Sequence, residues 1–153
     1  MESEVKVIPE QKLGVINYKG PISDLDILVS KLMGWVDAEN IKTDGEPFIV
    51  YFSPRHEVND GDAVYDVSIA ICDDADEKDE IRVVDMIEHK VLSAKHYGST
   101  DNIFDTYEKL VEISQENNYD IIGSPKEILI KSFHNSDNEK DFITEIQLPI
   151  IEM

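Results

Sequence analysis

Residues 95–101, KHYGSTD, decide the fold, because residues 17–23, NYKGPIS, show the same pattern 78 positions earlier in the chain. Three pairs of turn-forming residues share that offset: Gly20 and Gly98, Gly45 and Gly123, and Pro47 and Pro125. Glycine and proline restrict or release the backbone at defined places, so three coincidences at one offset indicate that the second half of the chain repeats the first.

Each half shows the same order of predicted elements. Residues 5–18 and 81–97 are rich in Val, Ile, Leu and aromatic residues without helical spacing, so each predicts a strand. A helix is predicted after each glycine, with Ser23 as one N-cap and Ser99 or Thr100 as the other. Apolar residues then recur at steps of three and four, which gives each helix one apolar face. These residues are Leu25, Leu28, Val29, Leu32 and Val36 in the first helix, and Ile103, Phe104, Tyr107, Leu110 and Val111 in the second.

A predicted hairpin ends each half. Its strands are PFIVYF and AVYDVSIAI in the first half, and KEILIKSF and FITEIQLPI in the second, joined by polar loops at 54–62 and 133–141. We therefore expect an α+β fold of duplicated β-α-β-β halves with pseudo-twofold symmetry, antiparallel sheets, helices on one face and a ligand cleft between the halves. Residues 1–153 are expected to form a single domain, with repeats at about 4–72 and 81–151 and a solvated acidic linker at 73–80.

The charge of the chain excludes several classes of partner. It has 33 acidic and 14 basic residues and a formal net charge of −19. Nucleic acids and anionic membranes need a basic surface, so neither is expected to bind. Two interpretations of the charge stay open, an acidic surface that keeps the protein soluble and an attraction for cations. With Cys72 as the single cysteine and no apolar run of about 20 residues, we expect a cytoplasmic protein.

Glu127 is the first candidate for a binding residue. Alternation along a strand places Glu127, Leu129 and Lys131 on one face, with the apolar residues between them expected to face the helix. The repeat places Ile49 at the position equivalent to Glu127, so only the second half has an acid there. The structural interpretation, which the residues alone favour, is an edge-strand acid paired with Lys126 or Lys131. A buried carboxylate would attract a cationic ligand.

Further candidates surround that acid. Glu145 lies on the final strand, and the two acids could share the cleft. Tyr18, Tyr51 and Trp35 could add cation–π contacts, although aromatic residues of this kind are also common in cores. His56, His89, His96 and His134 show no metal-ligand spacing, and no nucleophile motif is present. We therefore predict no catalytic residue, no metal and no cofactor.

The stretches VINYKGP, GSPKEILIK and FITEIQLPI resemble the GyrI-like effector-binding family, and the resemblance covers roughly residues 4–151. That family includes the ligand domains of AraC-type and MerR-type multidrug regulators and standalone proteins. The resemblance implies that Glu127 lies at the base of a pocket for cationic, aromatic compounds and that Glu145 borders it. Leu129 replaces the aromatic residue that is usual in this stretch, which departs from the family pattern.

The resemblance also frames the function. Because the two repeats occupy the whole chain, we expect a standalone protein without a DNA-binding module that binds an organic, cationic or aromatic small molecule. Two alternatives stay open. One is a protein-interaction module resembling the gyrase-inhibiting members, whose acidic surface would engage a basic patch on a protein partner. The other is a small-molecule hydrolase that uses Glu127 as acid or base.

Overall fold

The computed structural model describes residues 2–53 and 61–152. In these residues the chain forms two α-helices and nine β-strands that pair antiparallel, which confirms the predicted α+β class. The elements in chain order are β1 (Ser3–Ile8), β2 (Gln11–Lys19), α1 (Leu25–Ala38), β3 (Phe48–Tyr51), β4 (Val64–Ile71), β5 (Ile81–Met86), β6 (His89–Tyr97), α2 (Ile103–Glu116), β7 (Tyr119–Ile121), β8 (Lys126–Lys131) and β9 (Ile143–Glu152). Most of the predicted loop 54–62 lies outside the described residues.

The chain divides into two compact units. Unit 1 contains Met1–Pro9 and Glu88–Met153, and unit 2 contains Glu10–Ile87. In unit 1 the strand order is β1-β6-β9-β8, with the short strand β7 beside the end of β9. In unit 2 the strand order is β3-β4-β2-β5. Unit 1 contains α2, and unit 2 contains α1.

The two long strands predicted for residues 5–18 and 81–97 are each broken in the structure, contrary to the prediction. The first break falls at Pro9, which has no backbone N–H for a strand ladder. The pieces then pair apart: β1 pairs with β6 in unit 1, and β5 pairs with β2 in unit 2. Each unit thus includes one strand from the other sequence repeat, β1 in unit 1 and β5 in unit 2.

The apolar face of α1 follows the predicted periodicity, and that of α2 does so in part. In α2, Ile103 and Leu110 are buried, but Val111 is 38% exposed, contrary to the prediction. In α1, Leu28, Val29, Leu32 and Val36 are buried, together with Trp35. In unit 1, an apolar core is formed by Leu92, Ala94, Ile103, Leu110, Ile146, Leu148 and Ile150. No helix within residues 2–53 and 61–152 is long and apolar enough to cross a membrane.

A short 3-10 turn precedes each α-helix and changes the predicted caps. Ser99 accepts a hydrogen bond from the backbone N–H of Asp101 at 3.3 Å, so it caps the turn Thr100–Asn102. Ser23 instead lies inside the turn Ile22–Asp24, and no side chain caps that turn. The predicted N-cap is therefore confirmed for Ser99 and wrong for Ser23.

The acidic segment 73–80, predicted as a solvated linker, belongs to unit 2 and contacts α1 and β5. The indole Nε1–H of Trp35 donates to the carbonyl oxygen of Asp76 at 3.2 Å. Lys31 forms an ion pair with Glu80, and Glu77 accepts a hydrogen bond from the N–H of Val83. These contacts hold the segment against α1 and β5.

Candidate functional site

Glu127 is a buried acid in the sheet of unit 1. It lies on β8 directly opposite Ile146 of β9, and only 2% of its surface is exposed. The hydroxyl of Tyr107, on α2, donates a hydrogen bond to Oε2 of Glu127 at 2.6 Å. A charged acceptor makes such a bond stronger than one between neutral groups. The carboxylate therefore has a fixed orientation beside the apolar core.

This contact corrects the predicted orientation of β8. A register shift between Leu129 and Lys131 ends the alternation, so the prediction that Lys131 shares the face of Glu127 is wrong. Glu127 and Leu129 do share one face, and both are buried. That face, however, is the one covered by α2, whereas we expected the intervening apolar residues to face the helix. The physical reason is that α2 supplies a polar partner, the phenol of Tyr107, at the position of the acid.

Glu145 lies on the opposite face of the same sheet. The register pairs Glu127 with Ile146 and Ile128 with Glu145, and cross-strand partners point to the same side. The side chains of Glu127 and Glu145 therefore point away from each other. The structure does not bring the two acids together, because they occupy alternate positions of the pleat.

Glu145 is the centre of a polar cluster. Its Oε2 atom accepts hydrogen bonds from Lys6 Nζ at 2.9 Å, Ser93 Oγ at 2.8 Å and Gln147 Nε2 at 2.7 Å. Burial favours the neutral acid, but these hydrogen bonds and the charge of Lys6 outweigh it and lower the pKa of Glu145 below its usual range. Glu145 is therefore ionised at neutral pH.

Lys126 shares the face of Glu145. It pairs with Gln147 across the strands, and only 8% of its surface is exposed. Burial lowers the pKa of Lys126 to about 8, although the Glu145 carboxylate acts in the opposite direction. This part of the sheet thus contains a buried cation and a buried anion.

A cavity of about 650 Å³ opens in unit 1 where β6 extends beyond the start of β1. Its exposed walls include Glu4, Lys6, Lys95 and Lys109, and its buried floor includes Ser93, Ala94, His96, Thr106 and Glu145. The two ring nitrogens of His96 contact the Thr106 hydroxyl and the Ser99 carbonyl, both at 2.8 Å. Most of this floor is therefore polar and already hydrogen-bonded.

The three aromatic candidates belong to unit 2. Trp35 and Tyr51 are buried, and Tyr18 is partly buried. The ring centroids of Tyr18 and Tyr51 lie 5.6 and 6.1 Å from that of Tyr65, so both pack on this third ring. The Tyr18 hydroxyl donates to Asp24, a bond that, with burial, raises the pKa of Tyr18. The structure brings Tyr18 and Tyr51 together.

The contacts of Tyr107 and Lys6 with the two acids were not predicted from the sequence. Tyr107 was assigned only to the apolar face of its helix, and its hydroxyl was the available signal for a partner of a buried acid. Lys6 reaches Glu145 only because β1 pairs with β6, and Pro9 was the signal that β1 ends before β2.

Metal ligation finds no support in the part of the chain that the structure describes. No group of three or more His, Cys, Asp or Glu side chains there is arranged to hold an ion. His56 lies outside the described residues.

Several solved structures share the fold of this chain. The C-terminal domain of EcmrR superimposes with a TM-score of 0.86 at 20% identity, covering 99% of this chain and 98% of that one. In a cryo-EM structure of an EcmrR–DNA complex, this chain spans 58% of the matched chain. Identity at this level shows the shared fold alone.

Two further structures have the same fold at lower similarity. A hydrolase from Listeria innocua matches with a TM-score of 0.70 at 13% identity, covering 98% of this chain and 92% of that one. SAV2435 bound to tetraphenylphosphonium matches with a TM-score of 0.61 at 13% identity, covering 99% and 94%.

The sequence itself identifies the family. No curated protein sequence matches this chain. The family model described as the GyrI-like small molecule binding domain matches residues 1–151, which is nearly the whole chain. The chain therefore belongs to the GyrI-like small molecule binding domain family.

Proposed function

We propose that this protein binds organic cations and that Glu127 is the anion facing the charge of the ligand. The observation that carries the proposal is a carboxylate with 2% exposure beside the apolar core of a small-molecule binding domain. A buried acid is costly to keep in a fold, so its presence in such a domain favours a role in recognition.

The electrostatic contribution of Glu127 is large enough to select a cation. A unit positive charge about 4 Å from the carboxylate gains on the order of 4 kcal/mol at an effective dielectric constant near 20, before its own desolvation is subtracted. Tyr107 donates a hydrogen bond that orients the carboxyl group of Glu127. The net charge of −19 also raises the concentration of cations near the protein.

One structural neighbour supports this class of ligand. SAV2435 shares the fold and is bound to tetraphenylphosphonium, an organic cation with four aromatic rings. In this chain, Tyr18, Tyr51 and Trp35 are the proposed aromatic contacts, each contributing about 0.5–2 kcal/mol where a cation reaches its ring face. Glu145 is proposed as a second acid that acts at a separate place from Glu127.

Calorimetric titration with tetraphenylphosphonium tests the proposal. We expect Glu127→Gln to weaken binding at least about tenfold, because the neutral amide keeps the shape and removes the charge. Glu112→Gln is the matched control, since it makes the same charge change at an exposed position of α2. Equal loss in both variants, or no loss in Glu127→Gln, would overturn the role of Glu127.

A second candidate function is hydrolysis of a reactive small molecule. The phenol–carboxylate contact of 2.6 Å between Tyr107 and Glu127 is a possible acid–base pair, and a hydrolase from Listeria innocua shares the fold. Turnover of 4-nitrophenyl acetate that disappears in Glu127→Gln and persists in Glu112→Gln would support it. Turnover that is equal in the two variants would eliminate it.

A further inference from the structure

The acid of the β1–β6 cavity already binds a cation of the chain itself. Lys6 and Glu145 both line this cavity, and their charged atoms lie 2.9 Å apart. Its volume of about 650 Å³ is within the range of small-molecule sites. The ammonium of Lys6 therefore occupies the place where a cationic group of a ligand would meet Glu145.

The neutral donors around Glu145 keep its carboxylate ready for a cation. Ser93 and Gln147 donate to the same Oε2 atom as Lys6 and lie in the sheet, where the strand ladder fixes their positions. If Lys6 moves away, the carboxylate keeps these two hydrogen bonds but loses its contact with the Lys6 ammonium. A ligand ammonium or amidinium can restore that contact through an N–H donor.

Lys6 has a second position available. Glu4 lies on the same face of β1, and its Oε1 atom is 3.4 Å from the Lys6 ammonium. The side chain of Lys6 is 32% exposed and that of Glu4 is 67% exposed. Because the ammonium already lies near this exposed carboxylate, it can move from Glu145 toward Glu4 without losing every ionic partner.

We propose that Lys6 is an internal competitor at this cavity, and that a ligand with an N–H cation binds Glu145 by displacing the Lys6 ammonium toward Glu4. The site is distinct from that of Glu127, which lies on the other face of the sheet. The selected class is a primary ammonium or amidinium compound. Quaternary cations have no N–H to donate to Oε2 and bind poorly here.

Titration with benzamidinium tests the competition directly. The variants are compared in the Glu127→Gln background, which removes the other proposed cation site. We expect Lys6→Gln to bind benzamidinium about fivefold more tightly than the parent, because the bound state no longer has to displace the Lys6–Glu145 ion pair. We expect Glu145→Gln to lose binding. Lys12→Gln is the matched control, since it removes another strand lysine that forms an ion pair, with Asp85 at 3.0 Å.

The test separates folding from binding. Lys6→Arg keeps a cation at Glu145, so its affinity for benzamidinium should equal or fall below that of the parent. Unchanged or weaker binding by Lys6→Gln, with a melting temperature equal to that of Lys12→Gln, would overturn the proposal. So would persistent binding by Glu145→Gln in the Glu127→Gln background. Tetraphenylphosphonium has no N–H donor, so loss of its binding in Glu127→Gln tests the Glu127 site separately from this cavity.

Discussion

Lys126 is a buried cation whose replacement by Met should stabilise the fold at neutral pH. It lies on β8 with 8% of its surface exposed, and burial lowers its pKa from the ordinary 10.5 to about 8. A lowered lysine pKa means that the folded state holds the proton less firmly than the unfolded state does. Protonated Lys126 therefore destabilises the folded protein at pH 7.

The magnitude follows from the pKa difference. One pKa unit corresponds to 1.36 kcal/mol, so a pKa of about 8 in place of 10.5 costs about 3 kcal/mol at pH 7, where both states are protonated. The cost falls as pH rises from 8 toward 10.5, because the folded state deprotonates first. At pH 10 less than about 1 kcal/mol remains. Met keeps a similar unbranched chain without the charge.

Urea unfolding at pH 7 and pH 10 measures both parts of this prediction. Lys126→Met should gain between about 1 and 3 kcal/mol at pH 7, and most of that gain should vanish at pH 10. Lys131→Met is the matched control, since Lys131 is exposed on the same strand and should change stability little. A Lys126→Met variant that is less stable than the control at pH 7 would refute the reasoning.

Three other changes have defined outcomes. Tyr107→Phe removes the hydrogen bond to the Glu127 carboxylate and should cost about 1.5–3 kcal/mol of unfolding free energy, measured in urea; a loss under about 0.5 kcal/mol would contradict the importance of that contact. Gly14→Ala would place a Cβ 2.5 Å from the ring of Trp35, so the free energy of unfolding should fall by about 1–3 kcal/mol and the melting temperature should fall with it. An unchanged melting temperature would show that the ring moves freely. Glu145 has a pKa below its ordinary 4.5, so its stabilising effect is full above pH 4.5 and is lost as pH falls through the lower value in the folded state. The stability advantage of the unchanged protein over Glu145→Gln should therefore shrink during acid titration, and a pH-independent difference would be inconsistent with the lowered pKa.

Local features of the fold were predictable because they depend on neighbouring residues. The step of three and four between Leu28 and Leu32 identified the buried face of α1, and alternation identified β4 and β9. The short strand β7 was missed because three residues are too few to show alternation. The hairpin pairings β3–β4 and β8–β9 were predicted correctly. The pairing of β1 with β6 was missed, since the periodicity of β1 is equally compatible with any neighbouring strand.

The candidate site was predictable only in part, because the position of α2 and the register between β8 and β9 cannot be read from local sequence patterns. Alternation shows which residues share a face of β8, but the position of α2 decides which face is covered, and only the contact from Tyr107 to Glu127 reveals it. The separation of Glu127 and Glu145 depends on the register between β8 and β9. Such a register is fixed by tertiary packing, so a sequence that places two acids on neighbouring strands cannot show whether they meet.

A crystal structure of the protein with tetraphenylphosphonium would show whether Glu127 faces the charge of the ligand. We expect the phosphonium in the unit 1 region of β8, with Glu127 as the nearest carboxylate and its contact with Tyr107 retained or exchanged for the ligand. A phosphonium bound elsewhere, with Glu127 and Tyr107 unchanged and away from the ligand, would contradict the claim.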